Sequence, residues 1–236
     1  FRVDGLNESL LDRDVFYPVL GHLIGKNSGN GIPVIQGLPN GVSEDRLKAL
    51  GAAAASSGSV GMFHAVGSTP EASTTEEAFL GLDPTDVIDV TSEKIIAARD
   101  QLSTASDSKI GAVSLGTPHY SVQEIKKLFE LFDSESVNPK VNFYVSTGRD
   151  VLTEASLRGF IKPLEDAGVI FVTDTCTYIT PIMEAVTLPV MTDSAKWAYY
   201  APGNLGVEVI FGAVEDCVAS GISGDLSIDN KIWIDG

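Results

Sequence analysis

The stretch Val169-Ile-Phe-Val-Thr-Asp-Thr-Cys-Thr-Tyr-Ile-Thr-Pro181 is the part of the sequence on which our interpretation of the fold rests. Its four apolar residues follow Gly168 and lead into a run of small polar side chains. That order is typical of a buried strand in an open α/β sheet, which presents polar groups at its carboxyl end. Cys176 is the most reactive side chain of the resulting loop, and we expect a helix to begin near Pro181.

The same order, a short apolar run followed by a helical pattern, recurs along most of the chain. Strands are predicted at 32–35, 60–66, 86–90, 109–115, 141–145, 169–172, 188–191 and 207–211. The segment 15–26 fits either a helix or a strand. Alternation of this kind predicts an α/β fold in which helices wrap parallel sheets. A polar run at 103–108 is the best boundary, which gives two lobes at 1–104 and 105–236.

Helix starts are marked by capping residues. Thr74 and Ser121 each stand three residues before a glutamate, which is the pattern of a capping box. Ser43 is a further N-cap candidate, and either Thr91 or Ser92 caps the helix that follows them. Behind Ser121, the helix carries an apolar face, composed of Ile125, Leu128, Phe129 and Phe132.

Composition limits the classes of function. The chain has 236 residues, 44% of them hydrophobic, and a formal net charge of −16. That charge disfavours nucleic acid and anionic membrane surfaces as partners. We find no apolar run of the ~20 residues that a membrane helix needs and no signal peptide, so we expect a cytoplasmic protein. Because the chain starts at Phe1 without Met, we expect it to be a fragment of something longer.

Three loops share a Thr-Pro dipeptide shortly after an apolar run: Thr69-Pro70, Thr117-Pro118 and Thr180-Pro181. Pro is favoured at the first position of a helix, and helix N-termini attract anions. We therefore expect these loops to lie at or near helix starts and to be receptive to anions. We also expect the three loops to meet at one sheet edge, which would gather the candidate side chains His64, Glu71, His119, Asp174 and Cys176.

Each candidate also has an ordinary structural interpretation. His64 can be a hydrogen-bonded core residue, and Glu71 can simply complement a helix dipole. Arg149 can clamp a carboxylate or pair with a nearby Asp, and Lys196 is equally ambiguous. Cys176 and Cys217 can be buried spectators or metal ligands. The sequence contains no phosphate-binding loop, dinucleotide fingerprint or Gly-x-Ser-x-Gly elbow.

Several motifs together resemble the aconitase X family, the divergent branch of the aconitase superfamily. They are Gly61-Met-Phe-His-Ala-Val-Gly-Ser-Thr-Pro-Glu-Ala72, Ser114-Leu-Gly-Thr-Pro-His-Tyr-Ser121, Asp174-Thr-Cys176 and Ser194-Ala-Lys-Trp-Ala-Tyr-Tyr-Ala-Pro202. Weaker matches extend the resemblance over about residues 16–224, in the order of the family. Members similar to this chain are dehydratases of cis-3-hydroxy-L-proline or mevalonate 5-phosphate. They combine an iron–sulfur cluster with a small swivelling domain.

The resemblance implies two aconitase-like lobes and a role for each candidate residue. It implies catalytic roles for His64, Glu71, His119 and Lys196, and substrate contacts for Thr69, Thr117, Arg149 and Ser194. Cys176 and Cys217 fall where the family has cluster ligands, and thiolates suit iron–sulfur clusters. Thr117 stands where the family often has a third Cys. Thr117 itself, a water, a Cys outside this chain or a smaller cluster would have to account for the difference.

These implications lead to one functional hypothesis and its rivals. We expect part of a hydro-lyase acting on a small hydroxy acid, with iron as Lewis acid and the swivelling domain and the start of the large lobe absent. The preferred substrate is cis-3-hydroxy-L-proline, because the chain shows few clustered basic groups for a phosphate. The alternatives are a mevalonate 5-phosphate dehydratase and an inactive module that binds a small carboxylate or a single metal ion.

Overall fold

The chain folds into two compact units, which a computed structural model describes over residues 1–234. One unit comprises Phe1–Gln101 together with the chain from Asn230 onward, and the other comprises Leu102–Asp229. Each unit contains one sheet, and the paired strands of both sheets are parallel. The predicted α/β class with parallel sheets wrapped by helices is confirmed.

The first unit is built around a pair of long helices. Its elements are α1 (Glu8–Leu11), α2 (Phe16–Asn27), β1 (Val34–Ile35), α3 (Glu44–Gly58), β2 (His64–Ala65), α4 (Thr75–Phe79) and α5 (Ser92–Asp100). The helices α2 and α3 approach closely because glycine faces glycine where they meet. A Cβ placed on Gly58 would lie 1.8 Å from the carbonyl oxygen of Gly25. Contact this close leaves no room for a side chain.

Three strand predictions in this unit were too long or wrong. The strand predicted at 32–35 covers only Val34–Ile35. The strand predicted at 60–66 is only two residues, His64–Ala65, paired with Val34–Ile35. Residues 86–90 form no strand, although Asp89 makes a single bridge to Arg2. Most of that segment is exposed, so its apolar residues do not mark a buried strand. The ambiguous segment near 15–26 is the helix α2.

The second unit is a five-stranded sheet with helices on it. Its elements are β3 (Ala112–Tyr120), α6 (Val122–Phe132), β4 (Asn142–Thr147), α7 (Arg149–Leu157), α8 (Ile161–Asp166), β5 (Val169–Thr173), β6 (Val190–Thr192), α9 (Ala195–Leu205), β7 (Val209–Phe211) and α10 (Val214–Ser223). The strand order is β5-β4-β3-β6-β7. The chain then returns to the first unit with α11 (Lys231–Ile234).

Alternation of side chains gives this sheet one apolar and one partly polar face. Val113 and Leu115 of β3 join the hydrophobic core with Phe143 and Val145 of β4. Ile125, Leu128 and Phe132 of α6 are buried in the same core, with Phe129 packed against it, as the helical spacing predicted. Ser114, which alternates with the core residues of β3, contacts Thr177 beyond β5 instead. That second face therefore carries buried hydroxyl groups.

The helix starts follow the capping residues rather than the Thr-Pro dipeptides. Both capping boxes are present, at Thr74 with Glu77 and at Ser121 with Glu124, and Ser43, Thr91 and Ser194 also cap their helices. No helix opens at Pro70, Pro118 or Pro181. Pro118 lies inside β3 with a cis peptide bond to Thr117, and the other two lie in turns. The predicted helix near Pro181 was therefore wrong.

Across residues 1–234, no helix combines the length and the apolar character needed to cross a membrane.

Candidate functional site

The candidate residues are divided between the two units. His64, Thr69 and Glu71 belong to the first unit, and the other seven belong to the second. Those seven are Thr117, His119, Arg149, Cys176, Ser194, Lys196 and Cys217. Whether all three Thr-Pro loops share one crevice stays a prediction. Six of these seven, all except Cys217, lie at or just after the ends of β3, β4, β5 and β6, which is the carboxyl edge of the sheet.

His119 joins the end of β3 to the loop that follows β5. Its Nε2 lies 3.0 Å from the carbonyl oxygen of Thr175. Because a carbonyl oxygen only accepts hydrogen bonds, Nε2 must carry the hydrogen. In the neutral imidazole the lone pair is then on Nδ1, the nitrogen that is able to accept a proton. The contact fixes both the position and the tautomer of this histidine.

Thr117 and Ser194 connect the end of β3 to the start of α9. The Ser194 hydroxyl donates to the carbonyl oxygen of Thr117 and accepts from the backbone N–H of Trp197, 3.0 Å away. Thr117 is buried, yet its own hydroxyl has no hydrogen-bond partner among the described residues. Such orphaned groups are rare in cores. Lys196 lies in the first turn of α9, so a basic residue, helix N–H groups and an orphaned hydroxyl occur in one region.

Arg149 is engaged by Asp174 at the same edge. Its backbone N–H donates to Asp174 Oδ1 at 3.0 Å, and its guanidinium pairs with Oδ2 at 2.5 Å. The backbone hydrogen bond and then the guanidinium lower the pKa of Asp174 below its usual value. The Arg149 side chain is 78% exposed, so the pair is solvated. The ordinary interpretation of Arg149 as the partner of an Asp is thus the one seen in this structure.

Cys176 occupies a loop that is held together internally. Its carbonyl oxygen accepts from the N–H groups of Ile179 and Thr180, and the hydroxyls of Thr175 and Thr180 lie 2.5 Å apart. Burial, followed by the neighbouring Cys176 thiol, raises the pKa of Tyr178 to about 12. The Cys176 residue is half-buried. Cys176 is thus a partly accessible cysteine beside a phenol.

Cys217 has a different environment. It is fully buried within the apolar core of the second unit, one turn into α10. Burial raises the pKa of its thiol well above the usual value, and Asp193, Asp216 and Glu215 act in the same direction. Iron binds the thiolate form of cysteine, which this environment disfavours.

The described residues do not by themselves make up the ligand set of an iron–sulfur cluster. Among residues 1–234, no group of three or more His, Cys, Asp or Glu side chains is placed to hold a metal ion. Cys176 is accessible enough to be a ligand, but Cys217 lies among apolar side chains and Thr117 stands in the third position. At least one further ligand would have to come from outside these residues.

The pair formed by Tyr120 and Asp193 was missed in the sequence analysis. The Tyr120 hydroxyl donates to Asp193 Oδ2. Burial raises the pKa of Asp193 to about 6, and burial followed by the charge of Asp193 raises the pKa of Tyr120 well above its usual value. Tyr120 directly follows His119 in the sequence, and Asp193 directly precedes Ser194. Their adjacency to candidate residues was the available signal, although nothing in the sequence indicates that they meet.

The three candidates of the first unit have more local environments. The Thr69 hydroxyl accepts from the N–H of Ala65 at 3.1 Å and donates to its carbonyl oxygen at 3.2 Å, which closes a turn after β2. Glu71 is exposed. His64 is half-buried, and its Nδ1 has no hydrogen-bond partner among the described residues. Of the three, His64 has the unsatisfied polar atom that a binding site would explain.

Comparison with known families accounts for most of the chain. Residues 1–100 match the domain described as the aconitase X second domain, and residues 110–223 match the aconitase X third domain. The chain therefore belongs to the aconitase X family. The resemblance found in the sequence motifs is confirmed.

Aconitase X relatives show what the chain is similar to. It is 36% identical over 224 residues to a cis-3-hydroxy-L-proline dehydratase of Pseudomonas aeruginosa, covering 94% of this chain and 39% of that protein. It is also 36% identical over 205 residues to a phosphomevalonate dehydratase large subunit of Methanocaldococcus jannaschii, covering 85% of this chain and 49% of that protein. The chain thus spans less than half of either relative.

A solved aconitase X structure has a similar fold. The crystal structure of Thermococcus kodakaraensis aconitase X in its holo-form superposes with a TM-score of 0.80 at 27% identity. The match covers 93% of this chain and 54% of the other. The α/β architecture is therefore that of an aconitase X protein.

Proposed function

We propose that this chain is part of a hydro-lyase of the aconitase X type whose substrate is cis-3-hydroxy-L-proline. The observation that carries the proposal is the joining of three elements at the carboxyl edge of the second sheet. His119 at the end of β3 contacts the Cys176 loop, and Thr117 receives the hydroxyl of Ser194 at the start of α9. Open α/β sheets bind ligands at this edge. The relatives of the chain are dehydratases.

Both substrates named for the relatives belong to one chemical class. cis-3-Hydroxy-L-proline and mevalonate 5-phosphate are β-hydroxy acids, with a hydrogen on the carbon between carboxylate and carbinol. Dehydration breaks that C–H bond and the C–O bond of the hydroxyl, so it requires a base, an acid and a carboxylate site. A site built for one such acid therefore has the groups needed for the other.

Residues of the second unit supply candidates for each requirement. The substrate carboxylate would lie at the first turn of α9, held by Lys196, the free N–H groups of the turn and the Thr117 hydroxyl, which has no other partner here. His119, with Nε2 tied to Thr175, would exchange a proton through Nδ1. Ser194 would keep Thr117 in place. Arg149 would contact the substrate only if its guanidinium also bound the substrate while paired with Asp174, or if that ion pair broke.

The remaining parts of the proposal involve the first unit and a partner. We assign His64 and Glu71 to proton transfer and Thr69 to substrate contact, on the strength of the family motif in which they occur. The small swivelling domain or subunit of such enzymes would complete the site. The name "large subunit" carried by several relatives supports a second component.

The cofactor we propose for the complete enzyme is an iron–sulfur cluster, with Cys176 as the ligand that this structure supports. The family resemblance also implies Cys217, which could take part only if its thiol left the apolar core in which it lies. The iron of the cluster would act as a Lewis acid that helps the hydroxyl group to leave. Because the described residues lack a full ligand set, at least one ligand would come from elsewhere in the parent protein. Iron and sulfide analysis of anaerobically prepared parent protein tests this, and a metal-free protein with full activity would contradict it.

Mevalonate 5-phosphate is the second candidate substrate, and the identity of 36% to a phosphomevalonate dehydratase supports it. A phosphate adds about two negative charges, which proteins usually meet with Arg and Lys. At the edge described here, the guanidinium of Arg149 is already paired with Asp174. This pairing is the reason for preferring the proline substrate.

Kinetics of the complete parent enzyme separates the proposals. We expect turnover of cis-3-hydroxy-L-proline and a fall of at least about 100-fold in kcat/KM for His119→Gln, the size typical of a lost acid–base group. Arg158→Lys is the control, because Arg158 pairs with Glu154 on the exposed surface of α7 and has no proposed role, so kcat/KM should change little. Turnover of mevalonate 5-phosphate alone would favour the second substrate. Carboxylate binding without turnover of either acid would favour the non-enzymatic module.

A further inference from the structure

Thr177, the residue after Cys176, lies at the centre of a buried hydrogen-bond chain. Its hydroxyl accepts from the indole N–H of Trp197 at 2.8 Å and lies 2.7 Å from the hydroxyl of Ser114. Thr177 and Trp197 are 0% exposed, and Ser114 is 1% exposed. Because an indole N–H can only donate, Thr177 must be its acceptor. Leaving either donor without a partner in so buried a place would be costly, so both contacts favour the observed arrangement.

The chain of contacts continues to the start of α9. The hydroxyl of Thr192 donates to the carbonyl oxygen of Ser114 at 2.7 Å and accepts from the N–H of Ser194 at 3.1 Å. Thr192 is also fully buried. The loop carrying Cys176 is therefore connected to β3, β6 and α9 by side chains that no solvent reaches.

A second anchor acts one residue further along. Tyr178, beside the Cys176 thiol, stacks on Tyr200 of α9 with ring centroids 5.4 Å apart and planes at 16°. The two residues that follow Cys176 are thus both held against the same helix. Cys176 as a residue is half-buried, so part of its surface reaches solvent.

We propose that Thr177 is a positioning residue that fixes the Cys176 thiol relative to the start of α9. Its hydroxyl acts by holding the loop to Trp197 and Ser114. Without it, a buried indole N–H and a buried serine hydroxyl would lose a partner, and the loop would open more often. The significance of Cys176 for catalysis rests on the proposed function, but its positioning does not.

The rate of thiol alkylation measures this positioning on the chain as it is. The chain has two cysteines, and Cys217 is fully buried, so a reagent such as iodoacetamide reports on Cys176 in the folded protein. Peptide mass spectrometry confirms which sulfur is labelled. The variants are Thr177→Val, which removes the hydroxyl at nearly constant volume, Thr177→Ser, which keeps it, and Trp197→Phe, which removes the indole donor.

We expect Cys176 to react at least about fivefold faster in Thr177→Val and in Trp197→Phe, the effect of a modest loss of local stability. Thr177→Ser should stay close to the parent rate. Ser57→Ala is the control, because Ser57 also donates a buried hydroxyl hydrogen bond, in the first unit. It should leave the rate unchanged. If Thr177→Val does not fold, the alkylation rate of Cys176 in Trp197→Phe tests the inference alone.

Three results would overturn the inference: a parent-like rate in Thr177→Val or Trp197→Phe, a Thr177→Ser variant as fast as Thr177→Val, or an equal acceleration in Ser57→Ala. None of these measurements uses a substrate. An absence of dehydratase activity in the parent enzyme would contradict the proposed function and leave the positioning of Cys176 intact. An active parent enzyme whose Cys176 reacts at the same rate in Thr177→Val and Trp197→Phe would contradict only the role of Thr177.

Discussion

Among single residues, Asp193 and Tyr120 show how burial raises the pKa of acidic groups near the candidate site. Burial raises the pKa of the Asp193 carboxyl from 3.8 to about 6, and Tyr120 donates a hydrogen bond to it. The native state therefore binds the proton more tightly than the unfolded chain does. By linkage, this carboxyl does not affect the free energy of unfolding below about pH 4. It lowers that free energy increasingly as the pH rises to about 6, and by a constant amount at higher pH.

Replacing Asp193 by Asn should therefore stabilise the protein at neutral pH. The amide oxygen can still accept from Tyr120, and the buried charge is gone. We expect a gain of up to about 3 kcal/mol in the free energy of unfolding at pH 7.5, since one pKa unit is about 1.4 kcal/mol. The gain should shrink toward zero at pH 4. Urea unfolding at both pH values measures it.

The control for this measurement is Asp107→Asn, which makes the same change of charge at an exposed position. Its effect should be small at both pH values. A less stable Asp193→Asn variant at pH 7.5 would show that the ionised carboxyl is needed for the fold.

Sequence reasoning identified residue types at the site but not their partners. His119, Thr117 and Ser194 were all candidates, and the structure joins Ser194 to Thr117 and His119 to the loop that carries Cys176. Asp193, Thr177 and Trp197 were not candidates, because their importance arises from contacts 20 to 73 residues away in the chain. A single sequence contains no information on such pairings. The Cys pair shows the same limit, since only coordinates reveal that Cys217 lies in an apolar core.

Among the secondary-structure elements, the helices α2 and α3 pack as closely as they do because Gly58 faces Gly25. Gly58→Ala would place a Cβ against the backbone of Gly25, so the helices must separate. We expect a loss of about 1–3 kcal/mol in unfolding free energy, which is the usual cost of overpacking. Thermal or urea unfolding measures the change.

Gly203→Ala in α9 is the matched comparison. A Cβ at Gly203 would meet nothing within 4 Å, so the helix propensity of Ala should raise the unfolding free energy by up to about 1 kcal/mol. Equal effects of the two substitutions would contradict the packing argument for Gly58.

The helices and strands that were predicted best have strong local signals. Capping residues such as Thr74 and Ser121 start their helices where the sequence indicates, because the cap satisfies N–H groups of the same segment. The failures depend on longer-range pairing. The segment 86–90 is apolar enough for a strand, yet it finds no continuous partner strand, and Pro118 continues β3 instead of opening a helix.

For the whole molecule, the main consideration is that the chain covers only part of the length of its relatives, which bears on what it can do alone. It spans 39% of the Pseudomonas aeruginosa relative and 49% of the Methanocaldococcus jannaschii relative. The described residues also lack a complete set of metal ligands. We therefore expect the isolated chain to fold but to show no dehydratase activity. Circular dichroism with an assay on both β-hydroxy acids checks this, and robust turnover by the chain alone would contradict it.

The decisive measurement is the consumption of cis-3-hydroxy-L-proline by the complete parent protein, prepared anaerobically and compared with its Lys196→Ala variant. Lys196 lies in the first turn of α9, where we place the substrate carboxylate. We predict that the parent protein removes the 3-hydroxyl group and that Lys196→Ala raises KM by about 10- to 100-fold, as expected for a lost charged hydrogen bond. Failure of the parent protein to consume either β-hydroxy acid, or an unchanged kcat/KM in Lys196→Ala, would contradict it.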